Sequence, residues 1–236
     1  MKLLRKLMAL IVILILGCMA VIIYKGYEEY NQIVDQVAVE EKVEDIRSEE
    51  SYINTNDISS NFLNAIVSVE DRRFKEHGGV DYIGLLRAVI YNITNKEFAQ
   101  GGSTITQQLA KNMYFEYNSG VERKLPEMFI ARYLEKKYSK EEILEMYVNI
   151  IYYGDGNYGI NQASINYFGN KPSQLSLAEG SMLAGLPQAP SAYALSTNIQ
   201  LAKSRQKMVL SSMVDNDIIT KEELEEASQT TLNIIK

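Results

Sequence analysis

The sequence predicts an all-α, mainly helical domain behind a single N-terminal transmembrane helix. Three observations lead there. Residues 7–24 form an 18-residue run without a charge. Further on, apolar residues recur at three- and four-residue spacing behind Ser/Thr-x-x-Glu starts, and no convincing period-two alternation signals a strand. A chain of 236 residues that is 46% hydrophobic and 23% charged can build one core, which excludes a disordered, collagen-like or disulfide-stapled protein. Its net charge of −6 also argues against a nucleic-acid partner, because affinity for phosphate backbones comes mainly from Lys and Arg.

The charge falls into three zones. Residues 1–25 hold four bases and no acid, residues 26–57 hold ten acids and two bases, and residues 58–236 are near neutral at −2. As a helix, residues 7–24 would be about 27 Å long, close to the roughly 30 Å hydrocarbon core of a bilayer. Lys2, Arg5 and Lys6 precede that run, so residues 1–6 are expected as a cytoplasmic tail and everything after residue 25 outside the cytoplasmic membrane. Ile15-Leu16-Gly17-Cys18 loosely resembles a lipoprotein cleavage box, and Cys18-Met19-Ala20 a signal-peptide end. The apolar run continues six residues past Cys18, however, which favours a retained anchor. Cys18 is the only cysteine, so the exported part is expected without a disulfide. Residues 25–57, acidic and only weakly periodic at Ile33, Val37, Val43 and Ile46, read as a solvated stalk.

Residues 58–236 read as helices with Gly and Pro at the breaks. Ser139-Lys-Glu-Glu142, Ser176-Leu-Ala-Glu179 and Thr220-Lys-Glu-Glu223 are capping boxes. Five strings could carry chemistry. In Glu70-Asp-Arg-Arg-Phe74, a helix over residues 61–74 places Glu70 on the apolar face of Leu63, Ile66 and Val67. Partial desolvation there would raise its pKa into the range of a general base or acid, although a buried structural ion pair with Arg72 or Arg73 fits equally. His77, the only histidine, could join Asp71 and Asp81 in a metal site, but that spacing is irregular and a hydrogen-bonding role is the stronger reading.

The second string, Gly101-Gly-Ser-Thr-Ile-Thr-Gln-Gln-Leu-Ala-Lys-Asn112, offers glycines for close backbone approach and a capping box from Thr104 to Gln107. Thr104, Gln107 and Lys111 fall on one helix face, suited to an anionic group such as pyrophosphate; an ordinary turn before a surface helix is the alternative. The third, Arg123-Lys-Leu-Pro-Glu127, sets Arg123, Lys124 and Glu127 near a helix start, with Pro126 in its first turn. The fourth runs from Glu145-x-Tyr147-x-Asn149 to Tyr167-Phe-Gly169, and the fifth from Leu177-Ala-Glu179 to Leu186-Pro-Gln-Ala-Pro190. Taken alone, both are helices joined by tight loops.

In this order the five strings resemble the motifs of the peptidoglycan glycosyltransferases, the family 51 transglycosylases, over residues 58 to about 227. One membrane helix with one such domain is similar to the monofunctional class rather than the bifunctional penicillin-binding proteins. Ser204-Arg-Gln-Lys207 matches the transpeptidase S-x-x-K pattern only by chance, since no K-T-G follows. The resemblance implies a lysozyme-like, two-lobed domain that polymerises lipid II outside the cytoplasmic membrane, by inverting transfer with loss of undecaprenyl pyrophosphate. It makes Glu70 the base and Glu127 a second catalytic carboxylate that steadies the donor or its metal, with Mg²⁺ or Mn²⁺ as the expected divalent cation. It assigns Asp71, Arg87, Ser103, Thr104, Gln107, Gln108, Lys111, Arg123 and Lys124 to substrate binding.

The implied partners are lipid II, the growing lipid-linked glycan, membrane lipids, and penicillin-binding proteins or other wall-synthesis proteins. The apolar stretch 80–93 would either dip into the bilayer or be an ordinary buried helix. Two departures from the family pattern are Ser119, where another base is common, and Pro126. A lysozyme-like glycan-cleaving enzyme and an inactive scaffold of the wall machinery are the rival readings; the former would not need the cations Arg87, Lys111 and Arg123.

Overall fold

The computed structural model describes residues 2–95, 101–115 and 120–235. Ser119 therefore lies outside the described residues. Eleven α-helices follow one another among those described: α1 (Lys2–Gln36), α2 (Val39–Ser48), α3 (Ser60–Glu70), α4 (Tyr82–Asn95), α5 (Ile105–Tyr114), α6 (Lys124–Lys137), α7 (Lys140–Ile150), α8 (Ile160–Phe168), α9 (Leu177–Gly185), α10 (Ile199–Asp215) and α11 (Lys221–Gln229). No strand forms among the described residues. A single antiparallel bridge between Tyr152 and Tyr158 closes the glycine-rich turn between α7 and α8.

The helix starts follow their caps. Thr104, Ser139, Ser176 and Thr220 each accept from the backbone N–H three residues on, while Gln107, Glu142, Glu179 and Glu223 reach back to the capping N–H. Helix α3 stops at Glu70 rather than running to residue 74, and a turn at Asp71 to Arg73 follows it. Pro126 sits in the first turn of α6, where a missing N–H leaves no hydrogen bond unmade.

Helices α3, α9 and α10 pack closely on one another, and α5 packs against α6 and α7. One continuous core of buried side chains, from Phe62 and Ile66 through Leu109, Ile130 and Tyr147 to Met182 and Val209, joins the two groups. Gly180 lets α9 touch α3: a Cβ there would lie 2.9 Å from the Phe62 nitrogen. Helix α4 is different, since Tyr82, Ile83, Leu86 and Ile90 are exposed and Ile93 is 72% exposed. This overturns the buried-helix reading of residues 80–93.

Helix α1 is longer than its apolar run. At 1.5 Å per residue it extends about 52 Å, and the uncharged run of residues 7–24 within it makes it apolar and long enough to cross a membrane. Its far end docks on α6. Gly26 meets Leu125 so closely that a Cβ would overlap the leucine side chain, and the rings of Tyr27 and Tyr30 lie 5.4 and 5.8 Å from that of Phe129.

The stalk expected over residues 25–57 is not solvated throughout. Val39 and Val43 are 2% and 4% exposed and belong to the core. Behind them, Tyr52 Oη donates to Glu145 at 2.8 Å, and Asn149 pairs with both backbone groups of Ile53 at 3.0 and 2.8 Å. Part of the fourth motif thus clamps the incoming chain. The acids of α2 face water while one i, i+4 valine pair turns inward, a stripe too narrow to register against the ten acids of residues 26–57. Val43→Ala should lower unfolding stability by about 1–2 kcal/mol, read by thermal melting, while exposed Glu44→Ala stays within roughly 0.5 kcal/mol; a solvated stalk would leave both unchanged.

Candidate active site

Glu70, the last residue of α3, faces α5 and α10. Its side chain is 10% exposed. One carboxylate oxygen accepts from Gln108 Nε2 at 2.7 Å, and the other lies 3.6 Å from Arg205 Nη2 and accepts no hydrogen bond from the protein. Burial drives its pKa above the ordinary glutamate value, and the Asp71 charge adds to this; the Gln108 hydrogen bond and the Arg205 guanidinium act in the opposite direction. The carboxyl is thus a stronger proton acceptor than a surface glutamate, with one oxygen uncommitted.

Glu70 lines a cleft of about 880 Å³ that also takes in Asp71, Arg87, Ser103, Thr104 and Gln108. Arg87 comes from α4, and Ser103 and Thr104 from the glycine-rich turn before α5. Not all of them are free to hold a ligand. The Asp71 carboxylate accepts from the Ile105 N–H at 3.0 Å and lies 2.9 Å from His77 Nε2 through both oxygens. Asp71 and His77 therefore position the start of α5. Asp81 turns away to the Ile83 N–H at 3.1 Å and to Arg73 at 3.7 Å, so the three residues do not converge on a metal.

Thr104 and Gln107 correct the sequence reading in the same way. They are 2% and 6% exposed, are bonded to each other in the capping box, and the Thr104 hydroxyl donates to the Gly79 carbonyl at 2.6 Å. Spacing placed them on one face with Lys111, but the Thr104 hydroxyl and the Gln107 side-chain oxygen are spent inside the protein. The N–H groups of Ile105 and Gln107 are likewise taken by Asp71 and Thr104.

Beside the cleft, α6 builds a cation cluster. Glu127 is fully buried and is paired with Arg123 through one oxygen and with Lys124 at 2.8 Å through the other. Lys124 Nζ also donates to Ser103 Oγ at 3.2 Å, which ties the cluster to the cleft wall. Burial, then the charges of Arg123 and Lys111, pull the Lys124 pKa down to about 8, and burial with Arg123 lowers that of Lys111. Two of these cations share one carboxylate with Lys111 beside them, and the surplus positive charge suits an anion.

A resident divalent cation does not fit this arrangement. Both Glu127 oxygens already face cations, and no group of three His, Cys, Asp or Glu side chains with metal-holding geometry occurs among the described residues.

Sequence reasoning missed Arg205. It is 7% exposed in the middle of α10, with Ala202 and Val209 buried three residues before and four after it, and its Nε donates to the Gly185 carbonyl at 3.4 Å. The signal was the one that revealed Glu70, a charge on an apolar helix face. The Ser204 to Lys207 string lies on the same helix, where Ser204 Oγ donates to the Gln200 carbonyl.

A raised folded-state pKa means the fold favours protonated Glu70. That contribution is present at low pH and is lost as pH rises through the folded value. Glu70→Gln should therefore melt higher than wild type near neutral pH, on the order of 2–4 °C, with the gap closing toward about pH 4. Equal melting temperatures at neutral pH would show that burial does not strain the carboxylate.

Comparison with known proteins shows the family. Residues 37–214 match the family described as Transglycosylase, a stretch that opens at α2 rather than at residue 58. A protein from Cupriavidus necator named as a transglycosylase is 43% identical over 176 residues, 75% of this chain and 76% of that one. Penicillin-binding protein 1A of Aquifex aeolicus is 40% identical over 185 residues, 78% of this chain. The chain spans only 26% of that relative's length. A crystal structure of penicillin-binding protein 1A from Haemophilus influenzae aligns with 78% of this chain and 18% of its own at 22% identity, with a TM-score of 0.48. By its match over most of its length, the chain belongs to the transglycosylase family.

Proposed function

We propose that this transglycosylase polymerises lipid II into linear peptidoglycan strands at the outer face of the cytoplasmic membrane. The observation that carries the reading is a buried carboxylate with one uncommitted oxygen, Glu70, in a cleft whose wall is joined through Ser103 to a surplus of cations. Glu70 takes the proton from the 4-hydroxyl of the acceptor N-acetylglucosamine. That oxygen attacks C1 of the donor N-acetylmuramic acid from the face opposite the leaving group, inverting it from α to β. The C1–O bond to undecaprenyl pyrophosphate breaks, and Lys111, Arg123 and Lys124 meet the charge that develops on the pyrophosphate. Arg87 faces the same cleft from α4.

Glu127 serves this reaction by holding Arg123 and Lys124 in place rather than by moving a proton. Mg²⁺ or Mn²⁺ enters the proposal as an ion that accompanies the substrate's pyrophosphate. Helix α1 crosses the bilayer with Lys2, Arg5 and Lys6 inside, and the exposed apolar residues of α4 rest on the membrane, where a lipid-linked substrate resides. Penicillin-binding proteins and other wall-synthesis proteins are its expected company.

The reading is tested with labelled lipid II and full-length protein in detergent, with products separated by size. Wild type should give a ladder of polymer, and Glu70→Gln should lose on the order of 10²–10⁴ in rate while staying folded. Lys111→Met should also slow polymerisation, by about tenfold or more. Shortening of finished glycan strands without any use of lipid II would instead identify a glycan-cleaving enzyme.

A further inference from the structure

Behind Glu70 stands a second polar side chain for which the reaction as written has no use. Tyr147, in the middle of α7, is wholly buried, yet its hydroxyl does not lack a partner: it donates to Gln108 Oε1 at 3.0 Å. The same glutamine donates through Nε2 to Glu70 Oε2 at 2.7 Å. Tyr147, Gln108 and Glu70 form a chain of two hydrogen bonds across three helices, α7, α5 and α3.

The chemistry of the groups fixes the direction of that chain. An ionised carboxylate only accepts, so the amide must turn its NH₂ toward Glu70 and its carbonyl oxygen away. The oxygen then needs a donor, and a tyrosine hydroxyl supplies one as long as it keeps its proton. Burial and the neighbouring charge of Glu70 push the Tyr147 phenol well above its ordinary pKa, so the proton stays. We propose that Tyr147 is a positioning residue for the base: its hydroxyl locks the Gln108 amide with N–H toward Glu70 and so holds that carboxylate in its proton-accepting form. Without the hydroxyl, the amide is free to turn its carbonyl oxygen to Glu70, an arrangement that only a protonated carboxyl satisfies. The other charged groups at Glu70 are Arg205 from α10 and the adjacent Asp71, and neither bonds the amide.

The inference rests on Glu70 as the base of the proposed polymerisation. Its test is Tyr147→Phe in the full-length protein, with the pH dependence of kcat for lipid II polymerisation measured beside wild type. The acid limb should move up by about half to one pH unit, giving roughly three- to tenfold less activity on the acid side of the limb, near-wild-type activity on the alkaline plateau, and an unchanged KM. An unmoved acid limb, or an equal loss at every pH, overturns the proposal. Should Tyr147→Phe fail to fold, Gln108→Met removes the amide itself and must shift the limb the same way. If wild type makes no polymer, the proposed function fails by itself. The relay is then read from infrared titration of the Glu70 carboxyl, with Glu70→Gln as the blank: the same upward shift in Tyr147→Phe supports it, and coincident titrations refute it.

Discussion

Glu70 has to lose most of its water without losing its charge, and much of the domain is arranged around that demand. A buried carboxylate is tolerated only where donors and opposite charge replace the solvent it gave up. Three helices meet the requirement together: α3 carries the residue to its last turn, α5 brings the Gln108 amide, and α10 brings the Arg205 guanidinium. Close packing of α9 on α3 at Gly180 helps set the approach. Asp71, next in the chain, adds a second negative charge beside the first, and its oxygens are held by His77 and the start of α5. The bond from Ile105 to Asp71 orients the helix that delivers Gln108.

The cation cluster carries the opposite imbalance. Arg123 and Lys124 pair with one buried carboxylate and Lys111 stands beside them, and burial first, then the neighbouring cations, depress both lysines. An anion arriving there relieves repulsion already built into the fold, which is how a preorganised site favours charge that develops during reaction. The cluster also stands close to the long N-terminal helix α1. Gly26 of α1 packs on Leu125 and Tyr27 on Phe129, the residues two positions either side of Glu127. The helix that holds the cations is therefore braced by α1.

What the sequence revealed, and what it hid, follows from what periodicity measures. It showed Glu70, because a carboxylate among Leu63, Ile66 and Val67 breaks an apolar face, and all four capping boxes formed as written. Periodicity reports which way a side chain faces but not whether its polar atoms are already satisfied. Thr104 and Gln107 were thus read as ligand groups although they bond each other, and Glu127 as a metal ligand although both of its oxygens meet cations. The packing of α2 was hidden by its acids. Arg205 and the Tyr147 hydroxyl needed three dimensions, since their partners lie 135 and 39 positions away in the chain.

The account stands on Glu70 being ionised near neutral pH yet harder to ionise than a surface glutamate. Direct titration of its carboxyl in wild-type protein, by infrared difference against Glu70→Gln, measures this without reference to any substrate. A carboxyl that titrates above the ordinary glutamate range yet is ionised at neutral pH is the predicted result. Titration at the ordinary value would contradict the burial argument, and a carboxyl still protonated at neutral pH would contradict its assignment as the base.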